Sequence, residues 1–277
     1  MEQILEKQSG VPMSSAEFVN EATRISEAGK EKDITLRVMG ACAIRIHCPN
    51  SRNILDSLNR TITDIDFMSY GKFEAKISNL FKELGYRSES EAAKFYAHMY
   101  GQIRSGFIDP KTQRKVDVFY DKLEMCHTID FKNRLETDFP TLTVSDLLLE
   151  KMQIVKINEK DIKDTLVLIL EHDVGGDDRE TTNMKYISKL LSEDWGFYYT
   201  VTTNLNKIKT FLSQYDAFTG DQKTTIEQKI DKLVDAIERQ PKSMKWRMRA
   251  KIGTSRKWYV DVEEISRGDL RLEEAKR

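Results

Sequence analysis

The sequence has few cysteines, and their arrangement excludes two common uses of the residue. Cys42, Cys48 and Cys126 are odd in number and form no Cys-x-x-Cys pair, which fits reduced thiols in a cytosolic protein rather than a disulfide framework. The pairs His47-Cys48 and Cys126-His127 lack the usual ligand spacing of a zinc site. We therefore expect buried free cysteines and no zinc.

The chain also lacks long hydrophobic runs and an excess of charge of either sign. No apolar stretch approaches the roughly 20 residues that span a bilayer, and the N-terminus lacks the basic start and apolar run of a signal peptide. Lys+Arg 44 against Asp+Glu 45 gives a net charge of -1, so any contact with nucleic acid must rest on a local patch. We expect a cytoplasmic protein without a membrane partner.

Residues 1–140 alternate helix and strand patterns, which predicts a mixed α/β domain. Ser14 and Glu17 form a capping box at the start of the first helix. Gly40 allows a tight turn between an apolar strand and a helix. The remaining predicted elements are a strand at 64–69, a helix at 72–84 that ends at Gly85, and an antiparallel meander of strands at 95–100, 102–108 and 114–120.

Residues 141–277 have a helical pattern throughout, which predicts a second domain. Helices are expected from Ser145 to Val155, from Asp161 to Glu171, and over 183–191, 201–214 and 224–239. Thr224 and Glu227 match a capping box for the last of these, and a polar loop is expected at 171–178. Trp195 and its aromatic neighbours at 197–199 are typical of a core.

Three carboxylates lie at strand positions of the first domain. Asp64 and Asp66 are two residues apart on a strand, so they point the same way, and Asp117 lies within a later strand. Carboxylates within about 5 Å of each other repel strongly unless a divalent cation neutralises them. Their convergence would indicate Mg²⁺ or Mn²⁺ and, with two such ions bridging a nucleoside triphosphate (NTP), phosphoryl transfer chemistry. The turn at Gly40 would let backbone amides hold phosphate oxygens.

These residues carry a resemblance. Gly40-Ala41 after a strand, Asp64-x-Asp66 and Asp117 resemble the nucleotidyltransferase superfamily that shares the DNA polymerase β palm. The run at 142–153 and the acidic segment at 159–164 are similar to its abortive-infection (AbiEii-like) toxin-type branch. The resemblance spans residues 34–170 and implies an α+β fold, with a mixed-sheet palm at 1–140 and a helical domain at 141–277.

The resemblance implies a role for each matched residue. Asp64 and Asp66 would bind both metal ions, and Asp117 would bind the catalytic metal and help deprotonate the acceptor hydroxyl. Lys151, as a catalytic and cofactor-binding residue, would contact the triphosphate. Gly40, Ala41 and Asp161 match the remaining nucleotide-binding positions. The alternative for Lys151 is a solvated or snorkelling cation on an amphipathic helix, with no role in binding. The alternative for Asp161 is a carboxylate that stabilises the start of a helix.

Three classes of function remain open. The leading hypothesis is an Mg²⁺-dependent nucleotidyltransferase that moves a nucleoside monophosphate (NMP) from an NTP to a hydroxyl of an RNA 3′ end, a protein or a small molecule. The second is a non-catalytic nucleotide-binding or toxin–antitoxin module with an antitoxin-like partner. Ala41 favours it, because many relatives have a serine hydroxyl at that position. The third is a structural protein, which predicts that the three aspartates lie far apart.

Residues 242–258 are basic, contain no carboxylate and include Trp246 and Trp258. Such a stretch could bind RNA or tRNA, with cations on phosphates and indoles on bases. We favour the alternative of a solvated helix whose Met244, Met248 and Ile252 face the core at i, i+4 and i+8. The acidic residues at 261, 263 and 264 would then neutralise the patch.

Overall fold

The computed structural model describes residues 14–90 and 104–262. The first half of the chain places a sheet among four helices. Its elements are α1 (Ser15–Glu31), β1 (Leu36–Met39), α2 (Gly40–His47), α3 (Arg52–Ser57), β2 (Asp64–Ser69), α4 (Glu74–Glu83), β3 (Arg87–Ser88), β4 (Arg104–Ile108), β5 (Lys115–Tyr120), β6 (Lys122–Glu124) and β7 (Thr128–Asp130). The predicted strand at 95–100 lies outside the described residues.

The second half is mainly helical. Its elements are α5 (Val144–Met152), α6 (Glu159–Glu171), β8 (Asp173–Gly175), β9 (Thr181–Asn183), α7 (Met184–Leu191), α8 (Trp195–Leu212), α9 (Gly220–Arg239) and α10 (Met244–Ile252). None of the helices described is both long and apolar enough to cross a membrane.

One five-stranded sheet has the order β1-β2-β5-β4-β3. The pair β2–β5 is parallel, whereas β1–β2, β4–β5 and β3–β4 are antiparallel. The sheet is therefore mixed, and the predicted α+β class with a helical second half is confirmed. The predicted strand at 64–69 and the capping box of Ser14 and Glu17 are also confirmed.

Within the described residues, a buried apolar cluster runs from Phe18 in α1 to Ile237 in α9. The chain passes from the first half to the second along the edge of β1, where Val38 N–H donates to Pro140 O and Leu142 N–H donates to Val38 O, each at 2.9 Å. Helix α2 packs against both β2 and α5. The division at residue 140 stays a prediction.

Helices α8 and α9 begin a turn or more earlier than the sequence pattern predicts. Helix α9 begins at Gly220, because Thr219 and Gln222 form its capping box. The predicted cap, Thr224, lies inside the helix, and its hydroxyl donates to the Gly220 carbonyl at 3.1 Å, as a mid-helix threonine does. Helix α8 begins at Trp195, because Asp194 accepts from Phe197 N–H at 3.0 Å.

Two further predictions concern single segments. The aromatic cluster at the start of α8 belongs to the core, as predicted, with Trp195 and Phe197 buried. The segment 171–178 is not only a loop, because β8 within it pairs in parallel with β9.

Candidate active site

The three aspartates project from one face of the sheet. Asp64 and Asp66 are two residues apart on β2, and Asp66 is the register partner of Asp117 on the parallel strand β5. Side chains two apart on a strand share a face, and neighbouring strands lie about 4.8 Å apart. The structural alternative predicted separated aspartates, whereas this register places Asp66 beside Asp117, with Asp64 on the same face.

The turn before α2 is shaped around Asp66. Gly40 has φ +65, a conformation that non-glycine residues rarely adopt. A Cβ at this position would lie 2.8 Å from Asp66 Oδ2. Glycine is therefore required both by the backbone and by the close approach of the carboxylate. Ala41 follows as a half-buried residue packed against the core.

Burial and like charge act together on two of the aspartates. Burial raises the pKa of Asp66 well above its ordinary value, and Asp64, Asp117 and Glu150 raise it further. Burial likewise raises the pKa of Asp117 to about 6, opposed by the Arg104 guanidinium. Ionisation of this face is therefore unfavourable without a compensating cation, which is the condition that favours binding of a divalent metal.

An arginine and a fourth carboxylate extend the site, and sequence reasoning missed both. Arg104 on β4 forms ion pairs with Asp117 and with Glu89, the latter at 3.1 Å. Gly106, the register partner of Asp117 on β4, leaves room for Glu89, since a Cβ there would overlap its carboxylate. No local pattern marks these residues; only the pairing of β4 with β5 brings them to the site.

The predicted nucleotide-binding lysine lies in a buried ionic cluster beside the aspartates. Lys151 Nζ is 3.1 Å from Asp161 Oδ1, 3.5 Å from Asp164 Oδ2 and 3.5 Å from Glu150 Oε1. These carboxylates outweigh burial and raise the Lys151 pKa. The Arg60 guanidinium holds Asp164 through two contacts of 2.7 and 2.9 Å. Lys151 is thus a charged, fully paired residue and not a snorkelling one.

The same cluster reaches the turn at Gly40. The Gly40 N–H donates to Glu150 Oε2 at 3.1 Å, so this amide already has a carboxylate partner. Burial raises the Glu150 pKa, while Lys151 and this amide lower it. Glu150 therefore connects the turn that approaches Asp66 to the helix that carries Lys151.

His47, His172 and Glu180 have possible metal-ligand atoms that all lie within 4.8 Å of one another. In the described part of the chain, the three aspartates do not form such a group. His47 Nδ1 lies 3.0 Å from Glu180 Oε2, and His47 Nε2 lies 3.0 Å from Leu142 O. His172 Nδ1 lies 3.2 Å from Glu180 O, and its Nε2 lies 3.8 Å from Cys48 Sγ. Each ring nitrogen thus has a protein partner, which accounts for the group by hydrogen bonding. At the aspartate site, by contrast, the charged partner of Asp117 is the guanidinium of Arg104.

The two His-Cys pairs contact different parts of the protein. His127 Nε2 lies 2.8 Å from Thr200 Oγ1, and its ring stacks on Phe197, whereas His47 contacts Glu180 and Leu142. All three cysteines are free and buried, as predicted.

The favoured interpretation of the basic stretch is wrong in one respect. Met244, Met248 and Ile252 are 71%, 62% and 46% exposed, so they do not face the core. Helix α10 has no buried residue. Trp246 and Arg249 are half-buried and make its contacts with the rest of the protein. Of the carboxylates expected to neutralise it, Asp261 pairs with Lys257, and those at 263 and 264 lie outside the described residues.

The sequence matches no protein-family model and no curated protein. Among solved structures, it is similar to the antibiotic-resistance factor ANT(2'')-Ia in solution, with 14% identity and a TM-score of 0.38 over 65% of this chain and 96% of that chain. It is similar to ANT(2'')-Ia in complex with adenylyl-2''-tobramycin, with 13% identity and a TM-score of 0.38 over 62% of this chain and 98% of that chain. It is also similar to an antigenic nucleotidyltransferase-like protein from Paracoccidioides brasiliensis, with 14% identity and a TM-score of 0.38 over 84% of this chain and 97% of that chain.

Proposed function

We propose that this chain is an Mg²⁺- or Mn²⁺-dependent nucleotidyltransferase that transfers an NMP from an NTP to a hydroxyl acceptor. The observation that carries the proposal is the alignment of Asp64, Asp66 and Asp117 on one face of β2 and β5. The raised pKa values of Asp66 and Asp117 support it, because a buried acidic face of this kind is relieved by a divalent cation.

The donor set suits a hard cation that prefers oxygen ligands. Asp64 and Asp66 would hold the metal ions from β2, and Asp117 would share one of them from β5 after its carboxylate leaves Arg104. The bound ions would supply charge compensation for the triphosphate and lower the pKa of the acceptor hydroxyl.

In the proposed reaction the acceptor oxygen bonds to the α-phosphorus. The bond from that phosphorus to the bridging oxygen breaks, and pyrophosphate leaves with the bond's electron pair. The hydroxyl proton would pass to Asp117, the carboxylate on β5 that faces the pair on β2. The freed Arg104 guanidinium would then be available to a phosphate oxygen.

Labelled transfer tests this function directly. The protein is incubated with each α-labelled NTP, Mg²⁺ and cell extract, and label in RNA, protein and small molecules is counted. We expect Asp64→Asn/Asp66→Asn to abolish transfer and Asp216→Asn, a substitution at an exposed aspartate, to retain it. Equal transfer by the double variant and the wild type would refute the proposal.

A second candidate is a nucleotide-binding module without catalysis, such as a toxin–antitoxin component with an antitoxin-like partner. The ionic cluster favours it, because the Gly40 amide and Lys151 are already paired with carboxylates. Calorimetry with NTP and Mg²⁺ separates the two: binding without label transfer supports the module. Membership of the AbiEii-like branch and a cytoplasmic location stay predictions.

A further inference from the structure

A cleft of about 720 Å³ lies between the start of α8, helix α10 and the segment 257–260. Three tryptophans, Trp195, Trp246 and Trp258, line it together with Tyr259. Its volume is in the range of ligand-binding clefts, about 300–1,000 Å³. The carboxylate site is built from other elements, so this cleft is a separate feature of the molecule.

The cations around this cleft are of two kinds. Arg249 is structural: it lies 4.8 Å over the Trp195 ring and donates to the carbonyls of Gly253 and Arg256, each at 2.7 Å. Four others are exposed and form no ion pair with a carboxylate of residues 14–90 or 104–262. These four are Lys245, Arg247, Lys251 and Arg256. Lys245 lines the cleft, together with the carboxylates of Glu193 and Asp194, and the other three lie on α10 and the segment after it. The basic surface beside the cleft therefore carries positive charge without an ion pair in the described residues.

Large apolar side chains are exposed on the same surface. In the described part of the chain, such residues are confined to 244–262. Met248 and Ile252 among them line the cleft, as does Val260. Apolar exposure concentrated in one place indicates a surface that contacts a partner.

The tryptophan nitrogens are not offered to a ligand in this cleft. Trp258 Nε1 donates to Thr200 Oγ1 at 3.0 Å, and Trp246 Nε1 is buried from solvent without a hydrogen-bond partner among the residues described. The cleft therefore presents aromatic and apolar side chains to a ligand, with the cations of α10 beside them.

We propose that this cleft binds single-stranded RNA. The exposed cations would contact phosphates, and the aromatic and apolar side chains would stack on or cover unpaired bases. The bound strand would also supply the acceptor hydroxyl, which rests on the proposed function. RNA binding by itself does not depend on that function.

Charge argues against a protein partner. Lysine is depleted from the cores of protein interfaces, yet Lys245, Lys251 and Lys257 lie in or beside the cleft. A second copy of the chain would bring like charges together. Two acidic residues line it: Asp194 accepts the Phe197 N–H as the cap of α8, and Glu193 is exposed. The cations without an ion pair on α10 and at Arg256 outnumber them. A flexible polyanion is the ligand that this surface fits.

Fluorescence anisotropy with a 5′-labelled oligouridylate of about 15 nucleotides, in EDTA and without NTP, tests the binding. Lys245→Glu/Lys251→Glu should weaken it at least about tenfold and reduce the slope of log affinity against log salt by about 1.4. The matched control, Lys76→Glu/Lys82→Glu, makes the same charge change on exposed residues of α4 and should bind as the wild type does. Trp246→Ala removes an aromatic side chain that lines the cleft and should weaken binding at least about fivefold.

Several outcomes would overturn the RNA site. They are no binding at low salt, unchanged binding by Lys245→Glu/Lys251→Glu, equal affinity for duplex RNA, and tighter binding of an oligothymidylate. Preference for an acidic leucine-containing helical peptide would assign the cleft to a protein, and a dimer that Lys245→Glu/Lys251→Glu disperses would assign it to a second copy.

The two proposals fail separately. Asp64→Asn/Asp66→Asn should bind the oligouridylate as the wild type does. Binding without NMP transfer to any acceptor would refute the proposed function and leave the RNA site standing. Conversely, if Lys245→Glu/Lys251→Glu transfers NMP to RNA as the wild type does, the RNA site is wrong and the proposed function still stands.

Discussion

Replacing Gly40 by alanine should damage the metal site more than it damages the fold. The φ of +65 makes any L side chain unfavourable here, at a cost of about 1–2 kcal/mol. The new Cβ would also lie 2.8 Å from Asp66 Oδ2. The carboxylate can relieve that contact only by leaving its present rotamer, which costs about 0.5–1.5 kcal/mol. We expect Gly40→Ala to lower the free energy of unfolding by about 2–3 kcal/mol.

Gly85 provides a matched control. Its φ is +86, and nothing lies within 4 Å of a Cβ built there. Gly85→Ala should therefore lose about 1–2 kcal/mol from the backbone alone, without moving a carboxylate. The difference between the two variants isolates the contact with Asp66.

Urea unfolding in EDTA measures stability, Mg²⁺ titration calorimetry measures metal affinity, and labelled transfer measures activity. Displacement of one catalytic group by about 1 Å costs roughly a hundredfold in rate, so Gly40→Ala should lose that much activity and bind Mg²⁺ more weakly. Gly85→Ala should retain both. If Gly40→Ala binds Mg²⁺ as the wild type does, or if both variants lose affinity equally, the inferred role of the turn is wrong.

Three further predictions concern buried ionisable groups. The pKa of Asp117 is raised from 3.8 to about 6 in the folded protein, so its contribution to stability is fully present below about pH 4 and is lost as the pH rises to about 6. Asp117→Asn should remove this part of the pH dependence of stability in urea titrations in EDTA. An unchanged profile would contradict the prediction. Asp164→Asn leaves its buried cationic partners short of a carboxylate and should lower the free energy of unfolding by about 3–5 kcal/mol. Asp235→Asn, at an exposed ion pair, should lower it by less than about 1 kcal/mol. Equal losses in urea unfolding would refute the distinction. Burial raises the thiol pKa of Cys42 and Cys48, so a disulfide reagent should modify them only as the protein unfolds, and fast labelling of the native protein would count against it.

Local sequence patterns predicted much of the secondary structure. The alternation of apolar and acidic residues identified β2 with its observed bounds, and the capping box identified the start of α1. Where two signals overlapped, the pattern was insufficient: Thr219 and Thr224 each begin a capping motif, and the helix uses the earlier one. Likewise, periodicity alone did not reveal that α10 exposes its methionines, because an apolar stripe does not state whether a core lies opposite it.

The sequence by itself determined which residues could form a metal site: a glycine turn, an Asp-x-Asp strand and one later aspartate, each recognisable from spacing along a few residues. The tertiary structure decided their arrangement. The parallel register of β2 and β5 aligns Asp66 with Asp117, β4 brings Arg104 to that pair, and α6 supplies two of the carboxylates that surround Lys151. These contacts depend on strand register and helix packing, which are set by the burial of the whole core rather than by any local pattern.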